Sequence, residues 1–368
     1  MPGPARSARR LASGRSVAAA LVALPLVGVP LVAPAMAAAP GLATPVATVD
    51  ARDHGVPLGR TAFREEARQR ATKASSKQSA GVVLIDEVLD YGEGEAAGTG
   101  LVISHNGLVV TNHHVIADST SIKVRVPSKH RTYRATVVGY DSHRDVAVLQ
   151  LEGAKHLHLA KLHRGLSVGE AVNAVGNAEG RGKLTAAPGR LLKRRVTIDV
   201  TDDDGGRDRM VGLIKDSSDV VPGDSGGALL DRRNRVIGMN VAATAGTKDV
   251  VGFAIPISRV KRIANLIIRG HASSEITIGS RAALGVLLDS RRTAPYVADV
   301  IPGTAAAQAG LSRGDVITSI GATRVATDSQ LASVLASYRP GQQAKVGWTD
   351  PEGGAHSATV TLGTAPVG

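Results

Sequence analysis

Between Ala80 and Ile268 the chain breaks into short apolar runs separated by Gly, Asn, Asp and Ser, among them GVVLIDEVLD, GTGLVISHNGLVVT, IKVRVP, YRATVVGYD, VAVLQLE, VGEAVNAVGN, RVIGMNVAAT and VVGFAIPI. About a dozen such runs, spaced by roughly 8–15 residues, cannot be long helices; they predict an all-β barrel or sandwich. Asn106-Gly107 lies between two of them and accepts positive φ at both central positions of a hairpin turn. Ile257–Ile268 (ISRVKRIANLII) is the one helical pattern of this region and closes it. Aromatic residues are only 2% of the chain, so the cores must be built from Val, Ile, Leu and Ala.

A polar connection at 273–280 leads into a second unit, from Arg281 to Leu362, with a mixed pattern. It reads as strands at 284–288, 296–301, 315–320, 344–349 and 357–362, a small helix at 304–310 and a helix at 329–338. The last helix carries Leu331, Val334, Leu335 and Tyr338 on one face. The N-terminus is of another kind. Arg6, Arg9, Arg10 and Arg15 precede an apolar stretch, Val17 to Val32, interrupted by Pro25 and Pro30. Ala35-Met36-Ala37 then matches a cleavage pattern, so 1–37 reads as an export signal peptide, with an uncleaved anchor as the alternative. The expected organisation is a signal peptide (1–37), a pro-segment or linker (38–78, with a short surface helix near 62–73), a first domain (79–270) and a second (278–365). The expected location is secreted or cell-envelope, with no membrane span once the signal is removed.

The chain has no cysteine, which excludes disulfides, thiolate catalysis and Cys-ligated zinc. Export stays compatible, because a domain of this size needs no covalent staple. The formal net charge is +12. The Lys and Arg residues are scattered and no nucleic-acid-binding motif accompanies them, so the expected partner is not nucleic acid. Basic charge of this kind suits solubility or adhesion to anionic cell-envelope polymers. HLHLAKLH (156–163) spaces its histidines unevenly and adds no carboxylates, and DVTDDDGGRD (199–208) lacks a calcium-loop pattern. No metal site and no cofactor are expected.

The chemistry concentrates in three separated stretches. Pro222-Gly-Asp-Ser-Gly-Gly227 offers a serine at a tight turn, with glycines that let backbone N–H groups crowd a substrate carbonyl. Ser225 is the candidate nucleophile, and the N–H groups of Gly223 and Ser225 the candidate oxyanion hole. GLVVTNHHVIAD supplies a base, His113 or His114, at the end of a β-run and before a turn that starts at Val115. SHRDVAVLQLE supplies an orienting carboxylate: Asp145 heads a buried-looking strand, whereas its competitor Asp141 looks like a turn aspartate. GDSGG also spells the α/β-hydrolase elbow, but strand, turn and strand follow it, and the order His, Asp, Ser belongs to chymotrypsin-type barrels.

GTGLVISHNGLVVTNHHVI, RDVAVLQL and PGDSGGALLDRRNRVIGMN…GFAIPI resemble the HtrA-type, trypsin-like serine proteases over roughly residues 80–365. The resemblance implies a mainly β chain, with a chymotrypsin-like double β-barrel followed by an α+β PDZ domain. The family pattern T-N-x-H-V implies that His114 is the base and His113 a bystander, with Asp145 and Ser225 completing the triad. Asp224 stands where the family has Asn. Asp219, six residues before the serine, maps to the base of the primary specificity pocket, with Ala243 and Gly252 on its walls. That arrangement implies cleavage after Arg or Lys, against the small apolar preference common in the family. IPGTAAAQAGLSRGDVITSIGATRV resembles the PDZ pattern, which implies a carboxylate-binding loop at Leu284, Gly285 and Val286 and a groove lined by Leu331 and Leu335, two residues whose helical spacing fits plain core equally well. The expected activity is hydrolysis of peptide bonds in protein or peptide substrates. The alternative is a peptide-binding or chaperone-like protein with a silent protease domain. Proteins of this type often form trimers through N-terminal contacts, and the N-terminal region here has few aromatic residues for such an interface.

Overall fold

A computed structural model describes residues 48–49, 71–92, 94–165, 167–201, 207–243 and 251–368. The expected signal peptide, and most of the expected pro-segment, lie outside the described residues. Of the surface helix expected near 62–73, only the end is described, and Thr72–Lys73 is a two-residue strand.

The first sheet contains β1 (Val82–Leu89), β2 (Gly94–Val102), β3 (Leu108–Thr111), β4 (Ser119–Val126), β5 (Arg131–Asp141) and β6 (Val146–Leu151). Their order is β5-β4-β1-β2-β3-β6, and β6 pairs back onto β5, so the six strands close a barrel. Between β3 and β4 lies a single helical turn, α1 (His113–Ile116). The sequence pattern starts that turn two residues later. The backbone turns at Asn112 instead, because Val115 and Ile116 must both be buried beneath it.

The second sheet contains β7 (Ala171–Gly176), β8 (Thr185–Thr201), β9 (Arg207–Asp216), β10 (Ala228–Asp231), β11 (Val236–Ala243) and β12 (Gly252–Pro256). These run in the order β8-β9-β12-β11-β10-β7, and β7 pairs back onto β8. Strand alternation sorts the apolar residues of each barrel. Val83, Ile85, Val109, Val124 and Leu149 point into the first barrel, while Val172, Ala174, Leu191, Ile214 and Leu229 fill the second. Residues of the opposite faces, such as Leu84, Leu101, Val148, Val175 and Met239, join a further core that also receives α2 (Ile257–Ile268). That helix buries Ile257, Val260, Ile263, Ala264 and Ile267 on one face, the stripe its sequence predicts.

The connection at 273–280 is not simply polar. Ile276 is buried, and β13 (Ile276–Ile278) adds to the first barrel beside β5. The second unit then runs β14 (Ala282–Ala283), β15 (Val286–Leu288), β16 (Val297–Val300), α3 (Ala305–Ala309), β17 (Val316–Ile320), β18 (Thr323–Arg324), α4 (Asp328–Ala336), β19 (Gln343–Thr349), β20 (Ala355–Thr361) and β21 (Gly363–Thr364). The strand expected at 284–288 begins only at Val286, because Gly285 takes a φ of 87° and breaks the run. Thr327 caps α4 by accepting from the Gln330 N–H, and the Gln330 side chain accepts from the Ala326 N–H. Beyond β21 the chain returns to the first barrel. Val367 is buried in that barrel's core, and its backbone bonds to the Asp118 N–H and the Ser119 carbonyl.

Candidate active site

The register of one ladder places the candidate base, His114, against Asp145. β3 pairs with β6 from Leu108 opposite Gln150 to Thr111 opposite Ala147. The residues just beyond that ladder are 112–114 on one strand and 145–146 on the other. Asp145 takes a left-handed φ of 54° there. One of its oxygens accepts from the His114 N–H at 3.0 Å and the other lies 2.9 Å from His114 Nδ1. An ionised carboxylate only accepts, so Nδ1 carries the proton and Nε2 is left with a lone pair. Burial alone would lower the imidazolium pKa. The charge of Asp145 and its hydrogen bond outweigh this and raise it above the usual histidine value. Asp141 is fully buried but bonds to the backbone and guanidinium of Arg144. His113 stacks on Tyr140 with ring centroids 4.6 Å apart, and burial lowers its pKa.

The serine turn is built on glycines that no other residue can replace. Gly223 has φ 91°, and a Cβ there would lie 2.2 Å from the Asn177 carbonyl oxygen. At Gly226, φ 80°, it would lie 1.9 Å from that of Thr99. The Glu179 N–H donates to the Pro222 carbonyl at 2.7 Å. In a trans peptide the N–H points opposite to the carbonyl, so this bond turns the Gly223 N–H away from Glu179. Neither the Gly223 nor the Ser225 N–H donates to another group among the described residues. Two free donors flanking one nucleophile are what an oxyanion hole requires. The Ser225 hydroxyl donates to the Val241 carbonyl at 2.8 Å, so in this conformation its proton is bound to the backbone.

Two residues escaped the sequence reading. Asn112 donates to the Asp145 carbonyl at 3.0 Å and accepts from the Gly226 N–H at 2.6 Å, which ties the base to the serine turn. Thr99 bonds four ways. Its N–H donates to the Ser225 carbonyl and its carbonyl accepts from the Thr111 hydroxyl, while its own hydroxyl donates to the Gly223 carbonyl and accepts from the Asn177 N–H. The signal for both was present, as polar residues inside the apolar GTGLV and VVTNHHV stretches.

Around the expected specificity pocket, the carboxylate nearest Gly252 is Asp216. A Cβ on Gly252 would lie 3.1 Å from an Asp216 oxygen and 2.7 Å from Val220 Cγ2. Asp216 is fully buried and accepts from the Ser218 N–H, with its second oxygen unpartnered. Burial pushes it up to about 6 against the pull of Ser218. Asp219 is only half-buried and acts as a negative neighbour of Asp224. Ala243 pairs with Gly252 across the β11–β12 ladder. Asp224 is buried and accepts from the Val221 N–H. Burial first, then the charges of Asp219 and Glu179, push it up to about 7.

In the second unit, Leu284 is buried in the core and its carbonyl accepts from the Ala306 N–H. Gly285 lies against Thr304, whose side chain fills the space of a Cβ, and Val286 is half-buried opposite Val300. Leu331 is fully in the core, whereas Leu335 is half-buried beside it. Among the described residues there is no cluster of ligands that could hold a metal, and no helix long and apolar enough to cross a membrane.

Two closed six-stranded barrels, a histidine held by an aspartate, a serine turn with N–H groups free among the described residues and an appended α+β unit fit a trypsin-like peptidase domain joined to a PDZ domain. Residues 98–239 match the family described as a trypsin-like peptidase domain, and 282–349 match the PDZ domain family. Serine protease PepD of Mycobacterium tuberculosis is 30% identical over 313 residues, covering 80% of this chain and 66% of its own. Periplasmic serine endoprotease DegP of Escherichia coli is 31% identical over 264 residues, covering 68% and 54%. Protease Do-like 1, chloroplastic, of Arabidopsis thaliana is 31% identical over 279 residues, covering 71% and 62%. The solved HtrA-type protease AlgW with tripeptide is 26% identical, with a TM-score of 0.47, and the match covers 82% of this chain and 97% of that one. The chain belongs to the HtrA-type family of serine proteases. It spans 54–66% of the length of the three curated relatives.

Proposed function

We propose that this protein is an exported serine endopeptidase whose PDZ domain binds peptide C-termini or unfolded segments. The observation that carries the reading is the double hydrogen bond of Asp145 to His114. A structural histidine needs no carboxylate fixing both its backbone and its Nδ1 while Nε2 is left as an acceptor. In the reaction the Ser225 hydroxyl turns from the Val241 carbonyl toward Nε2, and His114 takes its proton as Oγ attacks the scissile carbonyl. Asp145 stabilises the imidazolium that forms. The Gly223 and Ser225 N–H groups receive the oxyanion. His114 then gives the proton to the leaving amine, and water releases the acyl group by the same route in reverse.

Val220 fills space over Gly252, which favours a small apolar residue before the scissile bond over the basic one that Asp219 alone suggests. The N-terminal arginines and apolar run, and the relatives named periplasmic, support a location outside the cytoplasm. The basic charge suits anionic polymers of the cell envelope, and family habit suggests a trimer. Labelling with a serine-directed phosphonate tests the activity. Label is expected on the wild type, with peptide activators of the PDZ domain present, and not on Ser225→Ala. A wild type that never takes the label would instead be a peptide-binding protein with a silent protease domain.

A further inference from the structure

Away from the proposed triad, β8, β9 and the start of α2 border an open cavity of 480 Å³. Arg164, Arg194, Arg195 and Arg259 line it, and no carboxylate does. Neighbouring residues of a regular strand point to opposite faces, so consecutive arginines should not share one cavity. Here they do, because the β8–β9 register shifts between Arg194 and Val196 and Arg195 takes a left-handed φ of 57°. A bulge of this sort re-aims a side chain at a local backbone cost.

Arg259 is held in place from below. Its guanidinium donates to the Val211 and Gly212 carbonyls. Gly212 itself has φ 73°, which favours glycine, and a Cβ there would lie 2.4 Å from Arg259 Nη2, so a side chain would displace the guanidinium. On its other side Arg259 lines a second cavity, of 280 Å³, with Arg144, Arg209 and Arg262. The one carboxylate there, Glu275, already pairs with Arg144. Arg164, Arg195, Arg259 and Arg262 form no ion pair among the described residues. Burial, then the neighbouring charges of Arg262 and Arg144, lower the pKa of Arg259.

We propose that these arginines form a binding site for a multivalent phosphoryl anion, with the larger cavity sized for a di- or triphosphate group. Planar guanidinium groups match phosphoryl oxygens two at a time, and Arg259, already anchored on two carbonyls, loses little freedom on binding. The site is independent of the peptidase reading, since it shares no residue with the triad.

Calorimetric titration of the full chain with inorganic triphosphate, at constant ionic strength, tests it. Saturable one-to-one binding is expected, at least tenfold tighter than that of orthophosphate. Arg164→Ala with Arg195→Ala should weaken it at least tenfold. Both side chains are exposed, so the fold should survive, and an unchanged melting temperature checks that. Arg291→Ala with Arg292→Ala, on the PDZ domain, should leave binding unchanged. Three results would overturn the proposal: no saturable binding, equal losses in the two double variants, or binding to phosphatidylglycerol vesicles without binding to triphosphate.

Discussion

Replacing Thr99 by Val isolates the clamp on the serine turn. The two side chains have nearly the same shape, so little packing is lost and the effect belongs to the hydroxyl. That hydroxyl donates to the Gly223 carbonyl at 2.7 Å and accepts from the Asn177 N–H at 2.9 Å. Asn177 is fully buried, and its N–H would be left without a partner, at about 1–3 kcal/mol. The Gly223 carbonyl is half-buried and can turn to water. A loss near 2 kcal/mol, about thirtyfold in the folding equilibrium, is the expected total. Catalysis should fall as well. Removing an oxyanion donor outright lowers kcat by about 10²–10³, and Thr99 only positions one, so about tenfold is expected, with little change in KM. Urea unfolding and peptide hydrolysis measure the two effects. Thr99→Ser keeps the hydroxyl and should restore kcat while remaining slightly destabilised by the lost methyl group. If kcat stays at the wild-type level in Thr99→Val although stability drops, the clamp is structural only. If Thr99→Ser is as slow as Thr99→Val, the hydroxyl is not the cause.

Peptide hydrolysis should be abolished in His114→Ala and largely kept in His113→Ala, which loses only its stacking on Tyr140. Because Asp145 raises the His114 pKa, the acid limb of kcat/KM should lie above the usual histidine value, and Asp145→Asn should move it down. Asp224 has an ordinary value of 3.8 when unfolded and about 7 when folded. The folded chain thus keeps its proton where the unfolded one has lost it, and stability falls as pH rises through that window. Asp224→Asn should therefore gain melting temperature relative to wild type at pH 8 and gain little at pH 4; a pH-independent difference would contradict this. Val220→Gly should clear the space above Gly252 and expose Asp216, so that cleavage after Lys or Arg rises against cleavage after Val in a peptide panel. An unchanged panel would place the pocket elsewhere.

The barrels were legible because their signal is local. Two-residue alternation sorts Val83 from Leu84 and Val109 from Val110, and each member of these pairs reaches the core its parity assigns. The helix at Ile257–Ile268 and the PDZ elements were legible for the same reason. Where tertiary packing decides, the pattern misled. Ile276 looks like part of a polar connection until it is seen to extend the first barrel, and for Leu331, whose spacing fits groove and core alike, only the fold shows that it is packed in the core.

The residues of the proposed triad are legible as types in motifs, but what holds them is not. Asn112 bonds to a residue more than a hundred positions away, and so does Thr99. Such partners follow from which strands of two barrels face one another, and no periodicity of either strand encodes that. The surroundings of Gly252 show the consequence most clearly. Counting back from Ser225 selects Asp219, because spacing is all that a sequence offers there. The ladder instead sets Asp216 opposite Gly252, and that pairing depends on the register of β9 against β12. A shift of that register by one residue would turn Asp216 to the other face of the sheet. The carboxylate beside Gly252 is thus a property of strand pairing, and the distance along the chain to the nucleophile carries no information about it.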